Sequence, residues 1–458
     1  MRAAATMNAL AIRPVRIEPT TMLALQSAYP EKYCAFLESA ASGAPLGRFD
    51  ILFAFPQEAL TLRPDGTLDG PTVATAPSSR FLDSFDRWWQ ALREPMPACE
   101  LPFRGGWLVY LGYELAAQIE PRLKLRMPGN GVVATALRIP AAIVREHASG
   151  QAWIVAEPQF AFLLEEISRD IDTVPEPSFR SGSLLAASIG EDPPERFVDA
   201  VRRALEYISR GDIYQANLSR GWRGRLADAV RPQHVYQRLR RTNPGPFSAL
   251  LTIDDWAIAS SSPERLIRIE NGWISTRPIA GTRPRGENVE ADRALIAELR
   301  AHPKERAEHV MLIDLERNDL GRVCEPGTVE VDEYMTIETY AHVHHIVSNV
   351  RGKLRDGVAP GQALGAVFPG GTITGCPKVR CMEVIAELED TARGAYTGSL
   401  GYVNRDGTMD FNILIRSLEL HGNEFELRAG AGIVADSVPL RELEESRAKA
   451  RGVLRAFD

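Results

Sequence analysis

The sequence predicts an α+β fold in which antiparallel β-sheets carry helices packed outside. Three observations predict it. The apolar strand patterns of the C-terminal half are joined by short turn sequences, so they pair as hairpins. The helical patterns show one apolar stripe at 3.6-residue spacing, which packs one face of each helix against a layer. No glycine fingerprint of a doubly wound parallel sheet is present.

In chain order, the opening MRAAATMNALAIRP has no sustained apolar core and reads as a frayed tail, not a leader peptide. Residues 174–194 are rich in Pro, Ser and Gly and read as a linker or surface excursion. This places a boundary between an N-terminal part, 1–190, of one interwoven fold and a region, 191–458, whose segments carry several polar residues beside glycines. A helix follows, with Pro193 and Pro194 at its mouth, a stripe of Phe197, Val201, Ala204, Leu205 and Ile208, and Gly211 at its end. Tyr214–Leu218 reads as a strand. Leu266–Glu270 and Trp273–Arg277 flank Asn271-Gly272, the strongest short hairpin signal. Residues 304–317 predict a helix with Ala307, Val310, Met311 and Leu315 on one side, and 377–389 another with Pro377 in its first turn. Strands are expected at 398–403, 409–418 and 424–429, joined by Asn404-Arg405-Asp406-Gly407 and His421-Gly422-Asn423. Leu440–Leu454 is the last helix.

Composition narrows the function. The 458 residues are 45% hydrophobic and 25% charged, an ordinary globular balance. A net charge of −7 without a long Lys/Arg run disfavours nucleic-acid binding. No run of about 18 apolar residues suggests a membrane span. Five cysteines, Cys34, Cys99, Cys324, Cys376 and Cys381, fit neither a metal site nor a disulfide framework, so a reducing, cytoplasmic setting is expected.

Seven clusters could carry chemistry, each with a plainer alternative. Glu264, in Ser262-Pro263-Glu264-Arg265 between two strand patterns, is placed for acid/base work, or sits in a turn with a solvated ion pair. Pro278–Arg285 has Gly281 for close backbone approach and Thr282 to donate to an anion, or is a stiff loop. Glu308 lies near the apolar side of its helix, where an unpaired carboxylate is costly, or at the stripe's edge. Asp314, Arg317, Asn318 and Asp319 after it suit a helix C-terminus. His342, His344 and His345 follow strand alternation, with His345 on the other face. Without further ligands or an HExxH they read as one acid/base histidine and structural neighbours rather than zinc ligands. The loop Phe368–Arg380, containing Thr374 and Gly375, opens a helix. It makes an anion site without being a P-loop, or is merely a tight turn. Arg416 shares a strand face with Asp410, Asn412 and Leu414, for carboxylate recognition or for solvent, and Gly398, Gly430 and Gly432 would leave room for a ligand. Glu442, Glu445 and Lys449 share one face of the last helix, where surface ion pairs are the plainer reading. Carboxylates for a hard cation beside donors for anions suggest a small polyanion bound with Mg²⁺.

As a set, SPERL, RPIAGTRPRG, RAEHVMLIDLERNDLGR, HVHHIVS, FPGGTITGCPKVR, YTGSLGY, MDFNILIRS and GAGIVADS resemble the chorismate-utilising enzyme family over roughly 195–458. GRFDILFAF at 47–55 and PFRGGWLVYLGYEL at 102–115 extend the resemblance more weakly. It implies a two-layer α/β fold, Mg²⁺ and chorismate. Carried over by motif, Glu308 and Glu445 would hold Mg²⁺ against the ring carboxylate. Tyr396, Arg416, Gly430, Gly432 and Lys449 would surround the enolpyruvyl carboxylate, Thr374 and Gly375 the ring. His345 would lie near the ring hydroxyl, and Glu264 would be the general acid/base, with His345 and Lys449 completing the catalytic set. Ala280 and Thr282 would line the substrate. Within the family, one branch aminates chorismate at C4 for folate synthesis, and another aminates C2 and eliminates pyruvate. GRFDILFAF, NPGPFSALL and Ile373-Thr374-Gly375 point to the C4 branch, which is the expectation adopted. Ala280, where many of that branch carry a nucleophilic lysine, and Leu37-Glu38-Ser39, similar to a tryptophan site, are features of the other. No glutaminase cysteine motif is present, so a separate glutamine amidotransferase partner is implied. A non-catalytic chorismate or tryptophan sensor is the contrasting class; the acid/base set argues against it.

Overall fold

The computed structural model describes residues 10–40, 47–75, 80–96, 99–129, 131–175, 180, 182–340 and 343–458. Two antiparallel sheets, of twelve and eleven strands among the described residues, face each other. The first runs from the edge strand Ala11–Val15 through Phe49–Ala54, Phe247–Ile253, Trp256–Ser262 and Ser417–His421 to Glu424–Ile433 and Gln215–Arg225. The second runs from Ile279–Pro284 and Val343–Lys353 through Arg265–Glu270, Met409–Asn412 and Ser399–Asn404 to Gly106–Leu111 and Ala134–Ile139. Strands from both sides of residue 190 therefore pair within each sheet. Side chains such as Phe53, Ile51, Tyr110, Leu137, Leu400 and Leu414 fill the space between the sheets. Helices cover the outer faces: Pro19–Ala28, Pro232–Thr242 and Pro439–Leu454 on the first, Phe81–Leu92, Pro303–Gly321 and Pro360–Val367 on the second. An α+β fold of antiparallel sheets with external helices is thus observed.

Local chemistry explains the elements read correctly. The helix Pro194–Ser209 buries Phe197, Val198, Val201 and Ala204 and is followed by Gly211 at φ +79°. The hairpin Arg265–Glu270/Trp273–Thr276 turns at Asn271 and Gly272, both at positive φ (52° and 76°), as its tight turn requires.

Four expectations are corrected. Residues 11–15 are not frayed but pair with Ala152–Ala156, while residues 1–9 lie outside the described set. The 174–194 excursion is mostly irregular where described, yet Leu184 is fully buried in the core beneath the first sheet's helices. The helix Pro303–Gly321 does not bury its apolar stripe. Val310 is exposed and Ala307 faces solvent, whereas His309, Leu312, Ile313, Glu316 and Leu320 point inward. Polar residues on the packed face disguise it from a hydrophobicity pattern. The expected strand 409–418 is two strands in different sheets, Met409–Asn412 and Ser417–His421. Arg416 sits in the crossing at φ +55°, not on a strand face. Alternation persists through a crossing, so the sequence conceals it.

A buried ion cluster pins the strand Gln215–Arg225. Glu389 accepts from the main-chain N–H of Ser219 at 2.7 Å and pairs with Arg393 at 2.6 Å and Arg428 at 3.3 Å. All three charged side chains are buried. Removing the carboxylate strands two guanidiniums away from water, where desolvation is no longer repaid. Glu389→Ala should lower unfolding free energy by about 3–5 kcal/mol in urea titration; a loss under about 1 kcal/mol would show the cluster to be solvated.

Candidate active site

Two crossings of the chain between sheets create the site. The strand Trp256–Ser262 of the first sheet continues through Pro263 and Glu264 into Arg265–Glu270 of the second, and Met409–Asn412 returns through Arg416 to Ser417–His421. At such crossings side chains leave both ladders and enter the space between sheets and loops.

Glu264 is 5% exposed, and its Oε1 has no hydrogen-bond partner. Burial raises its pKa to about 8, so the acid form dominates near neutral pH. Thr372, Glu316 and Lys449 are its neighbours. The turn with a solvated ion pair is excluded, because the adjoining Arg265 is spent on Asp410, with two bonds at 2.8 and 2.9 Å.

Arg416 is half-buried, and among the described residues its guanidinium has no hydrogen-bond or ion-pair partner. Burial lowers its pKa, opposed by Tyr396 and Glu445 beside it. Arg393 stacks against the Tyr396 ring at 5.5 Å and donates to the Asn217 carbonyl at 2.6 Å, and Asn217 Nδ2 donates to Tyr396 Oη at 3.3 Å. Lys449 reaches back from the last helix to pair with Glu445 at 2.7 Å and to donate to the Gly430 carbonyl at 3.0 Å. Gly430 is required by this crowding: a Cβ there would lie 2.9 Å from Tyr396 Oη and 2.1 Å from the Leu218 carbonyl. Glu308 Oε1 accepts from Gln215 Nε2 at 3.1 Å and lies 3.9 Å from where a Cβ of Gly432 would be. Carboxylates on the two helices thus flank one glycine-bearing strand. Glu445 and Lys449 form an i,i+4 pair that is partly exposed, and Lys449 also reaches the strand bearing Gly430.

The second sheet supplies His345, whose Nδ1 is 2.9 Å from Thr282 Oγ1. Burial holds its pKa down to about 4, so the ring is neutral at pH 7. Thr282 spends its hydroxyl on this contact rather than on an anion. Ala280 pairs with Ile346 and is 7% exposed. His344 is structural, bonded to Asp292 and Thr339, and His342 lies outside the described residues. The glycine-rich loop is less open than its sequence suggests. Thr374 is fully buried and donates to the Gly370 carbonyl at 2.9 Å. Gly375, at φ +135°, pairs with Ala216 in a place where a Cβ would meet the Gln215 carbonyl at 2.1 Å.

Sequence reasoning missed Gln215, Asn217, Thr372 and Glu316. Gln215 Oε1, Thr372 Oγ1 and Glu264 Oε1 are all buried without partners. Unsatisfied buried polar atoms of this kind call for a partner the fold itself does not supply.

A family model described as chorismate binding enzyme matches residues 46–455. The chain belongs to that family. It is therefore a chorismate-utilising enzyme. It is 41% identical to an anthranilate synthase component I-like protein of Synechocystis sp. over 78% of this chain and 74% of that one. It is also 41% identical to aminodeoxychorismate synthase component 1 of Bacillus subtilis over 82% of each. A crystal structure of anthranilate synthase component I from Streptococcus pneumoniae superposes with a TM-score of 0.80 at 29% identity, over 89% of this chain and 92% of that one. Among the described residues of this chain no helix is long and apolar enough to cross a membrane.

His345 generates a pH prediction. Its folded pKa, about 4, lies below the value of about 6.5 for an unfolded histidine. On acidification the unfolded chain therefore takes up the proton first. The stability tied to a neutral His345 is full above about pH 6.5 and declines as pH falls towards 4. In His345→Asn the slope of unfolding free energy against pH across that window should lessen; a slope equal to the native one would contradict the neutral assignment.

Proposed function

We propose that the chain aminates chorismate to 4-amino-4-deoxychorismate, using ammonia supplied by a separate glutamine amidotransferase, in a Mg²⁺-dependent reaction. The observation that carries this reading is the convergence of a buried carboxylic acid, Glu264, with the cations Arg416 and Lys449 and the carboxylates Glu308 and Glu445. Arg416 offers its unpaired guanidinium to the enolpyruvyl carboxylate, with Tyr396, Lys449, Gly430 and Gly432 around it. Thr374 and Gly375 shape the wall at the ring. Protonated Glu264 gives its proton to the ring hydroxyl, which leaves as water. Neutral His345 offers a hydrogen bond at the hydroxyl. The Ala280 side chain has no amine, so ammonia attacks without a covalent adduct to the chain.

The donor set suits Mg²⁺. Among the described residues no group of three or more His, Cys, Asp or Glu could hold a metal alone. Mg²⁺, however, is commonly held by one or two carboxylates together with substrate oxygens and water. Glu308 and Glu445 supply those two. Bound there, the ion would neutralise the ring carboxylate and polarise the ring.

The need for an ammonia-supplying partner is supported by the cysteines. All five are free thiols, and burial pushes Cys34 up to about 12 and Cys324 up to about 11, with Cys376 and Cys381 also raised. Those four are poor nucleophiles for glutamine hydrolysis. The C4 product is favoured by the Ile373-Thr374-Gly375 run. Ala280 favours a second reading, conversion to anthranilate and pyruvate.

The two products separate in one assay. With chorismate, Mg²⁺ and ammonium, p-aminobenzoate should form only after a lyase acting on aminodeoxychorismate is added. Anthranilate fluorescence without the lyase would instead establish the second reading. Glu445→Gln should raise the Mg²⁺ concentration for half-maximal rate by roughly tenfold or more, and an unchanged requirement would remove Glu445 from the metal site.

A further inference from the structure

The buried acids do not end at Glu264. On the inward face of the helix Pro303–Gly321, Glu316 is 5% exposed and its charge acts on Glu264. Residues 371 and 372 lie between the two. A Cβ at Gly371 would be 3.2 Å from Glu316 Oε1. Thr372 flanks Glu264 with a hydroxyl that is buried and lacks a well-formed hydrogen bond. The buried Thr276 hydroxyl faces Glu316. One turn further along the helix, Asp319 pairs with Lys378, and Lys378 Nζ also donates to the Val367 carbonyl at 2.9 Å. Asp319 and Lys378 line a groove of about 820 Å³ that opens to solvent. A file of proton-carrying groups thus connects Glu264 with the surface on the far side of the helix.

Glu264 faces Glu316 from the helix, Lys449 from the C-terminal helix, the Thr372 hydroxyl and the main chain of Ile279. Glu316 faces Asp319 on its own helix, Lys378 at the start of the helix Lys378–Leu388, the Thr276 hydroxyl and the main chain of Gly371. Burial raises Glu264 to about 8 and Glu316 to about 7, and neither carboxyl has an arginine to hold it ionised. Like carboxyls sharing a low-dielectric pocket do not readily ionise together. A purely structural residue at 316 would be served by an amide or an apolar side chain, without a second buried acid beside it.

We propose that Glu316 is a positioning residue for the catalytic proton: Glu264 and Glu316 exchange protons as a pair, and the Asp319–Lys378 end connects that pair to the groove. This rests on the reading that Glu264 protonates the departing hydroxyl. In each turnover one proton passes from Glu264 to that hydroxyl, which leaves as water. Glu264, now a carboxylate, is reprotonated from Glu316, and Glu316 is refilled from solvent by way of Asp319 and Lys378. The proton lost by the attacking ammonia returns to solvent, so the exchange balances.

The test follows kcat with ammonium as nitrogen source across the range of about pH 6 to 9 that brackets both acids, with free ammonia held constant. Native protein, Glu316→Gln and Glu264→Gln are compared. Glu316→Gln removes a like charge from beside Glu264, so the alkaline limb should move about one unit to lower pH, with KM for chorismate changed less than about twofold. Glu264→Gln should lose activity at every pH. If Glu264→Gln is inactive and the Glu316→Gln limb overlies the native one, the role of Glu316 is overturned while that of Glu264 stands. If Glu264→Gln keeps the native profile, the reading beneath is overturned instead. Should Glu316→Gln fail to fold, Glu316→Asp carries the comparison, since it draws the charge back by one methylene. A limb moved in the same direction supports the role, and an unmoved one overturns it.

Discussion

The site depends on the chain leaving one sheet for the other at two places. Inside a ladder, residues 264 and 416 would be held at strand spacing, with side chains committed to one face. In the crossings they are freed from that spacing, and Arg416 takes a left-handed backbone that a strand would not allow. The surrounding sheets make the freedom useful because they are rigid. Glu264 can stay buried without a partner at Oε1 only because packed strands hold the wall around it. The same crossings interlock the sheets, so the N-terminal strands that complete each sheet also stabilise a site to which they contribute no proposed ligand.

Charge is sorted by whether it has a partner. Most buried charges are neutralised within the fold: Arg265 by Asp410, Arg138 by Glu157, Arg393 and Arg428 by Glu389. Glu38 is similarly consumed by Arg240 and Tyr236, which matters because it lines a separate cavity of about 1020 Å³ bounded by residues 37–104 and by residues 246–272 and 400–412. Its carboxylate is therefore already engaged, whatever that cavity holds. Arg416 is the contrast, a half-buried cation whose field is left for a ligand. Under the proposed reading, a doubly negative molecule bound there would require less reorganisation than opening an existing pair, because no bond has to be broken first.

The fold class was legible because turn chemistry and helix periodicity are local. Asn271-Gly272 and Gly211 mark their positions by backbone conformation alone. The candidate site was read chiefly through motif resemblance, which named Glu264, Arg416, Glu445 and Lys449 without saying how the fold brings them near one another. What escaped was non-local. A strand that changes sheets keeps its alternation, so Arg416 looked like a strand residue. A helix that buries His309 and Glu316 while exposing Val310 reverses the usual inference from hydrophobicity. Gln215 gave no signal, since its role appears only when its strand brings it to Glu308.

The reversed helix face also bears on how the proposed chemistry is supplied. An exposed Ala307 and Val310 and a buried Glu316 are two consequences of one rotation about the helix axis. That rotation directs Glu308 towards the glycine-bearing strand. It also brings Glu316 within the field of Glu264 and leaves Met311 and Leu315 to line the outer groove with Asp319. Had the helix buried its apolar stripe, burial would have gained a few kcal/mol, but Glu316 would have turned away from the interior. The stripe's exposure is thus a stability cost accepted at the site, and the groove it forms gives the interior acids a connection to solvent on a side away from the bound ring.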